Sequence, residues 1–396
     1  MTDQLLRRTW VEIDLDALTD NFCRIRESLT AGCKAMAIVK ADAYGHGAVE
    51  CARILAKAGA DWFGVSNLEE AIQLRRAGLS QPVLILSYTP PQEAARLARY
   101  GITQTVTGAR YAAELSAEAV KAGVTVPVHI AVDTGMMRVG FLYSDAERDA
   151  QTVADIATAC RLPSLDATGI FTHFAVADEQ TGDAFTQHQF ALFMQAIDLL
   201  CAEGITFALR HCCNSAATVR FPEMHLDLVR PGLIQYGMMP SAFMRELLPL
   251  QPVMSLKTNV SLVKTVPAGE TVSYGRTYTA PQDIRTATVA IGYADGYARR
   301  CSNSGHMLID GHEVPVIGRV CMDQCMLDVS ALPDVREDDT ALIFGRDGAF
   351  VRPVEQYAAE CETINYEVVC DIGRRVPRVF MQNGRPVGVR NDLLEL

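Results

Sequence analysis

No run of about eighteen apolar residues occurs in this 396-residue chain, so no segment reads as a membrane-spanning helix. The N-terminal run Met1-Thr2-Asp3-Gln4-Leu5-Leu6-Arg7-Arg8 lacks the apolar core of a signal peptide. Positive charge is also in short supply. Thirty-six basic residues against 47 acidic ones leave a net charge of −11, a field that repels phosphate backbones and argues against nucleic acid as a partner. The expectation is a soluble, cytoplasmic protein with neither nucleic acid nor membrane as partner. Paired C-x2-C spacing, the mark of a structural zinc site, is missing as well. Twelve cysteines are scattered along the chain, with Cys212-Cys213 adjacent and Cys321 and Cys325 spaced C-x3-C. They read as reduced thiols of a cytosolic enzyme, with no metal expected.

What is present is ordinary globular composition, 49% hydrophobic and 21% charged, which excludes a disordered or fibrous chain. The length exceeds what one small core needs and suggests two domains. From Cys33 to Gly232 two textures alternate. Short apolar runs, often β-branched, fall at 35–40, 62–66, 83–87, 103–106, 126–132, 167–174, 207–213 and 226–230. Between most of them lie segments with helical spacing, such as Val49, Ala52, Leu55, Ala56 and Phe190, Phe193, Ile197, Leu200. Eight strand–helix units over this length match a (β/α)8 barrel. An open doubly wound sheet usually has fewer strands and a Gly-rich first turn, absent here.

Before the barrel, residues 9–15 alternate like a strand, and Asp16 is placed to cap a helix carrying Leu18, Phe22, Ile25 and Leu29 on one face. After about Leu250 helical spacing disappears. Strand-like runs at 260–266, 286–291, 306–309, 314–316, 326–329 and 341–344 follow, with Asp310-Gly311 as a hairpin turn. The fold expected is α/β: a barrel over 1–245 and a mainly β domain over 246–396, with the strand near Trp10 as a candidate member of the β domain.

Barrel enzymes keep their chemistry at the C-terminal ends of the strands, often with a phosphate after strands seven and eight. Here Lys40 ends the first expected strand, Arg138 follows the fifth, and His173 ends the sixth. Asn214 and Ser215 follow the seventh, and Arg230-Pro231-Gly232-Leu233 follows the eighth. Ser215 and the Gly232 backbone occupy the place of a phosphate cradle. Lys40 closes a run that is apolar on both faces, so it should point into the barrel mouth. A partly desolvated amine there has a lowered pKa and can attack a carbonyl. A Schiff-base lysine beside a phosphate cradle points to pyridoxal phosphate.

The run Ala37-Ile38-Val39-Lys40-Ala41-Asp42-Ala43-Tyr44-Gly45-His46-Gly47 resembles the cofactor-lysine motif of the alanine racemases. Similar signatures follow in order: Val132-Asp133-Thr134-Gly135-Met136 with Arg138 and Gly140, Thr172-His173-Phe174-Ala175, His211 with Asn214-Ser215-Ala216-Ala217, and Arg230-Pro231-Gly232. In the β domain come Ser273-Tyr274-Gly275, Ile291-Gly292-Tyr293-Ala294-Asp295-Gly296-Tyr297 and Gly318-Arg319-Val320-Cys321-Met322-Asp323-Gln324. The resemblance runs from Trp10 to Arg378.

It implies an isomerase making D-alanine, a cell-wall precursor, and working as a homodimer whose β domain closes the barrel mouth of its partner. Lys40 would carry pyridoxal 5'-phosphate and act as one catalytic base, with Tyr293 of the partner subunit as the other. Two bases on opposite faces move a proton off one side of the α-carbon and onto the other. A phenol of ordinary pKa near ~10 needs a cation beside it for that role, so an arginine or histidine is expected close to Tyr293. Arg230 would bond the pyridine nitrogen, backed by His173 and His211. Tyr44, Asn214, Ser215, Gly232 and Leu233 would belong to the cofactor site, the phosphate falling to Tyr44, Ser215 and the Gly232 and Leu233 amides. Arg138 and the Met322 amide would bind the substrate carboxylate. Two positions depart from the family pattern: Ala131, where a polar residue commonly orients the arginine, and Arg374, where a tyrosine often lines the site. The departures keep open a racemase preferring serine or with broader specificity. A decarboxylase and a cofactor carrier are the more distant readings.

Overall fold

Val39, Ala35, Met36, Ala37 and Ile38 are all buried, as a strand packed on both faces demands. In the computed structural model, which describes residues 8–394, this strand, Lys34–Ile38, begins an all-parallel series. Trp62–Val65, Val83–Ile85, Ile102–Val106, Val126–Asp133, Leu165–Phe171 and Leu209–His211 follow it in order, and Leu228–Val229 pairs with its other edge. The remaining seam is bridged where the Asp227 amide donates to Arg210 O (3.1 Å) and the Arg230 amide to Cys213 O (3.0 Å). Helices such as Ala48–Lys57 and Asp183–Ala202 cover the outside, burying the Ala52/Leu55 and Phe193/Ile197/Leu200 stripes. The eight units form the expected barrel. The N-terminal run read above for a leader falls mostly in residues 1–7, outside the described part. No helix among the described residues is long and apolar enough to cross a membrane.

The second sheet is mainly antiparallel and built on the long strand Met254–Val266, which pairs with Ile284–Val289 and Thr340–Asp347. Asp310 and Gly311 both have positive φ (48° and 77°) and join His306–Ile309 to His312–Ile317 in register, the hairpin that Asp-Gly signals. Strand Thr9–Asp14 lies inside this sheet, antiparallel to Met254–Val266 and parallel to Arg378–Gln382. From this strand in the C-terminal sheet the chain passes into the barrel, and one apolar cluster runs through both.

Three local expectations are corrected. The helix Leu15–Glu27 is capped by Asp14, not Asp16: the Asp14 carboxylate accepts the amides of Asp16 and Ala17, and Leu29 falls beyond the helix end. Helices do return after residue 250, at Val354–Glu360 and Asn365–Cys370. They are short, and Val354, Tyr357 and Ala358 supply a buried face too brief to stand out as a repeat. Strands Arg378–Gln382 and Arg385–Arg390 were not anticipated; the latter lies at the sheet edge, is exposed or half-buried throughout, and is interrupted by Pro386 and Gly388.

Ile13 is fully buried in the strand shared by the two halves, whereas Asp14 contributes only a cap. Ile13→Ala is expected to cost about 2–5 kcal/mol and Asp14→Ala about 1 kcal/mol. Urea unfolding curves of the two variants check that order; equal losses would contradict it.

Candidate active site

The first barrel strand stops at Ile38, whose carbonyl accepts two side-chain donors, Gln235 Nε2 (2.7 Å) and Tyr236 Oη (2.9 Å). Lys40 then opens a turn in which Ala41, Asp42, Ala43 and Tyr44 all have φ between 51° and 56°. Left-handed backbone costs an L-residue roughly 1–2 kcal/mol, so four in succession need support. Glu70 accepts the Ala41 amide on one carboxylate oxygen (2.8 Å) and the Ser66 amide on the other (2.7 Å). Asp42 accepts the Ala48 amide (2.8 Å) and pairs with Arg390. Burial pushes the Asp42 carboxyl up, but Arg390 outweighs it and holds the group below its ordinary value. The turn leaves Lys40 at the cavity and carries the buried Tyr44 back against Tyr236 and Tyr366. Burial, reinforced by Arg138, lowers the Lys40 ammonium below its ordinary pKa.

Two adjoining hollows of about 380 and 290 Å³ meet at Lys40, Arg138, His173 and Arg230. Tyr44, Asn214, Ser215, Gly232 and Leu233 line the second. Asn214 caps the helix Ser215–Arg220 by accepting the Ala217 amide. The Gly232 amide donates to Ser215 Oγ (2.9 Å), and the Leu233 amide has no partner among the described residues. A Cβ on Gly232 would lie 2.8 Å from Tyr44 Oη, so only glycine lets the backbone approach this closely. Burial raises the Tyr44 phenol, which therefore stays a donor. The Tyr44 and Ser215 hydroxyls and the unpartnered Leu233 amide, with the Gly232 backbone beside them, line one small hollow and suit a phosphate.

Arg230 is buried at the floor. Its Nη1 donates to His211 Nδ1 (2.8 Å), and its Nη2 donates to Thr172 O (2.9 Å), Cys212 O (3.1 Å) and His173 Nδ1 (3.2 Å). Phe171 lies under the guanidinium, 5.3 Å from its ring centre. No carboxylate pairs with Arg230 among the described residues, and its Nε has no partner there. Burial pushes its pKa down to about 10, still charged at neutral pH. A guanidinium only donates, so both histidines must accept on Nδ1. Burial and then Arg230 hold His173 and His211 well below their ordinary values, which leaves each ring neutral with its proton on Nε2. His211 Nε2 then donates to His129 Nδ1 (2.9 Å). His129, missed in the sequence, was visible there as one polar residue inside the apolar run 126–132.

Asp133 organises the next loop: its carboxylate accepts the amides of Gly135, Met137 and Arg138 at 2.8–3.0 Å. The Arg138 side chain is exposed at the mouth and has no polar partner among the described residues. Ala131 lines the cavity beside it and offers nothing to orient it. Arg374 does not face this cavity; it lines a separate cleft with Asp42, Glu69, Glu70 and Arg390.

Tyr293 and Met322 lie elsewhere. They sit together on the C-terminal sheet, 43% and 52% exposed, and neither lines the Lys40 cavity. The Tyr293 amide donates to Cys321 O (3.1 Å) and the Ala294 amide to Met322 O (3.0 Å). A Cβ on Gly292 would fall 2.3 Å from Cys321 O, so the two loops touch through bare backbone. The fully buried Asp295 accepts the Gly292 amide (3.0 Å) and Arg375 Nε (2.8 Å) and pairs with Arg8. Arg375 also bonds Asp323 (2.7 Å). The Met322 amide has no partner among the described residues, and neither does the Tyr293 hydroxyl. The cation expected beside Tyr293 is not supplied by any contact within the described residues. One chain therefore assembles the Lys40 cavity and presents Tyr293 and Met322 outward, apart from it.

Comparison with known proteins agrees with these motifs. Residues 13–240 match the family model for the alanine racemase N-terminal domain, and residues 253–380 match that for its C-terminal domain. The alanine racemase of Desulforamulus reducens is 47% identical over 94% of this chain and 98% of its own length, and that of Desulfovibrio desulfuricans 45% identical over 95% and 99%. Among solved structures, alanine racemase of Clostridium difficile 630 superposes with a TM-score of 0.91 at 37% identity, covering 98% of this chain and 99% of that one. Alanine racemase of Bacillus anthracis with bound L-Ala-P gives 0.90 at 37% identity, covering 99% and 100%. This chain belongs to the alanine racemase family.

Proposed function

We propose that this chain is a cytoplasmic isomerase that interconverts L- and D-alanine, a cell-wall precursor, with pyridoxal 5'-phosphate held on Lys40. It works as a homodimer of two-unit subunits (1–245, and 246–396 with the strand near Trp10), each β unit closing the partner's barrel. The observation that carries the cofactor reading is Arg230, a buried cation without a carboxylate among the described residues, whose Nε is left for an acceptor. The hydroxyls of Tyr44 and Ser215 and the amides of Gly232 and Leu233 support a phosphate a short way off. The names of the relatives favour alanine over serine, a broader substrate range or decarboxylation.

When bound, pyridoxal phosphate draws electrons from the α-carbon of an attached amino acid and acidifies its proton. Arg230 cannot surrender its proton at working pH, so the ring nitrogen it faces would stay unprotonated. That restraint limits electron withdrawal and disfavours side reactions. Arg138 and the free Met322 amide of the partner subunit would hold the substrate carboxylate, a planar anion suited to a guanidinium. Lys40 Nζ and Tyr293 Oη of the partner subunit would then exchange protons with opposite faces of the α-carbon.

Lys40→Ala is expected to lose both racemisation and the visible absorption band of the bound cofactor, with borohydride fixing nothing to the protein. A variant keeping band and activity would exclude Lys40. Tyr293→Phe is expected to keep the band while slowing conversion of L-alanine at least 100-fold, the lower range of acid–base contributions; parallel loss of band and rate would argue against a base. Inactive Lys40→Ala and Tyr293→Phe chains, exchanged in equal amounts, should recover about a quarter of normal activity. Half the dimers are then mixed, and one of each pair of sites is whole. No recovery after demonstrated exchange would overturn the shared site.

A further inference from the structure

Cys301 and Cys361 lie sixty residues apart in sequence, yet their sulfurs are 3.3 Å from each other. Cys301 is fully buried at the end of the short turn Arg299–Cys301. Cys361 is half-buried and ends the helix Val354–Glu360, its amide donating to Tyr357 O (3.0 Å). The meeting is held from several sides. The rings of Tyr297 and Tyr357 stack at 5.4 Å and 18°, the Ala298 amide donates to Tyr357 Oη (2.8 Å), and the Gly305 amide donates to Cys301 O (2.9 Å). Arg300 pairs with Glu362 outside the sulfurs.

The two thiols are unequal. The Cys301 thiol, with help from the Tyr357 hydroxyl and Arg352, lowers Cys361 against the effect of its burial. The same contact, together with burial, raises Cys301. The more exposed sulfur is thus also the more readily ionised, and the thiolate is the form that reacts. Cys212 and Cys213 are also neighbours, but both are sealed in the core with their thiols directed at Met224 O.

We propose that Cys301 and Cys361 form a reversible oxidation site, a dithiol that hydrogen peroxide converts into an intramolecular disulfide. The Cys361 thiolate attacks one peroxide oxygen: an S–O bond forms, the O–O bond breaks, and the departing oxygen leaves as water after taking up a proton. Cys301 sulfur then displaces the oxygen from Cys361. An S–S bond forms, the S–O bond breaks, and a second water leaves with the Cys301 proton. The two sulfurs give up two electrons, which the two peroxide oxygens accept. In a reducing compartment the dithiol is the resting state. The bond joins the segment that follows Tyr293 to the helix preceding Tyr366.

The test titrates the full-length, cofactor-loaded enzyme with hydrogen peroxide, blocks free thiols with iodoacetamide, and maps tryptic peptides by mass spectrometry. A peptide pair joined through Cys301 and Cys361, two hydrogens lighter than its parts, is expected before any other cysteine is modified, and dithiothreitol should dissolve it. Cys361→Ser, at the half-exposed position, should abolish the pair. Cys301→Ser should leave a sulfenic acid on Cys361 that dimedone traps. Oxidation beginning at the exposed Cys201 and Cys370, or overoxidation of Cys361 without a link, would overturn the proposal.

Discussion

A guanidinium placed in the floor of a barrel without a carboxylate is an unusual burden, because removing a charge from water is expensive unless every donor is met. Arg230 meets it with neutral acceptors from neighbouring strand ends: two backbone carbonyls and two imidazole nitrogens. This solution fixes the rest of the floor. The histidines must remain unprotonated on the nitrogens that face Arg230, their tautomers follow, and the proton order runs outward through His211 to His129. The one direction left undetermined is the cavity, where an acceptor is still wanted. The same cation therefore sets both the hydrogen-bond order beneath the site and the kind of ring that suits the space above.

The second constraint is the strained turn after Lys40. It is tolerated because carboxylates from other parts of the chain, Glu70 and Asp42, absorb its free amides, and Arg390 near the C-terminus clamps Asp42. Placement of the reactive amine thus depends on the last strand of the chain. The Tyr293 turn has a matching dependence. Asp295 holds it through Arg8 and Arg375, so both ends of the sequence converge beneath the aromatic that faces outward. Neither half carries a self-contained piece of the machinery.

Much of the barrel was legible because parallel strands covered on both faces appear as unbroken apolar runs, and the rim residues break those runs at their ends. Lys40, His173, Ser215, Arg230 and Gly232 stood out for that reason, and the structure gathers them around one cavity. Other features had no local signal. Choosing Asp14 over Asp16 as the helix cap depends on which residue still has strand-like backbone, and the two differ by only two positions. Helices of seven and six residues near the C-terminus are shorter than the window in which periodicity becomes visible. The Asp295 cluster joins residues 287 positions apart, a separation no spacing rule reaches. The absence of Tyr293 and Met322 from the cavity could not be seen from their motifs, since a motif records order along the chain and not which surface it ends on.

The strand Thr9–Asp14 carries a consequence for how the polypeptide is made. It is synthesised before the barrel, but both of its neighbours, Met254–Val266 and Arg378–Gln382, are made only after the barrel. While the barrel is being synthesised this apolar ribbon has two open edges and nothing to cover them, the condition in which nascent chains stick to one another. Maturation should therefore include a late zippering step once those partner strands have emerged, and chaperones that shield this early strand would have more influence on yield than those acting on the barrel.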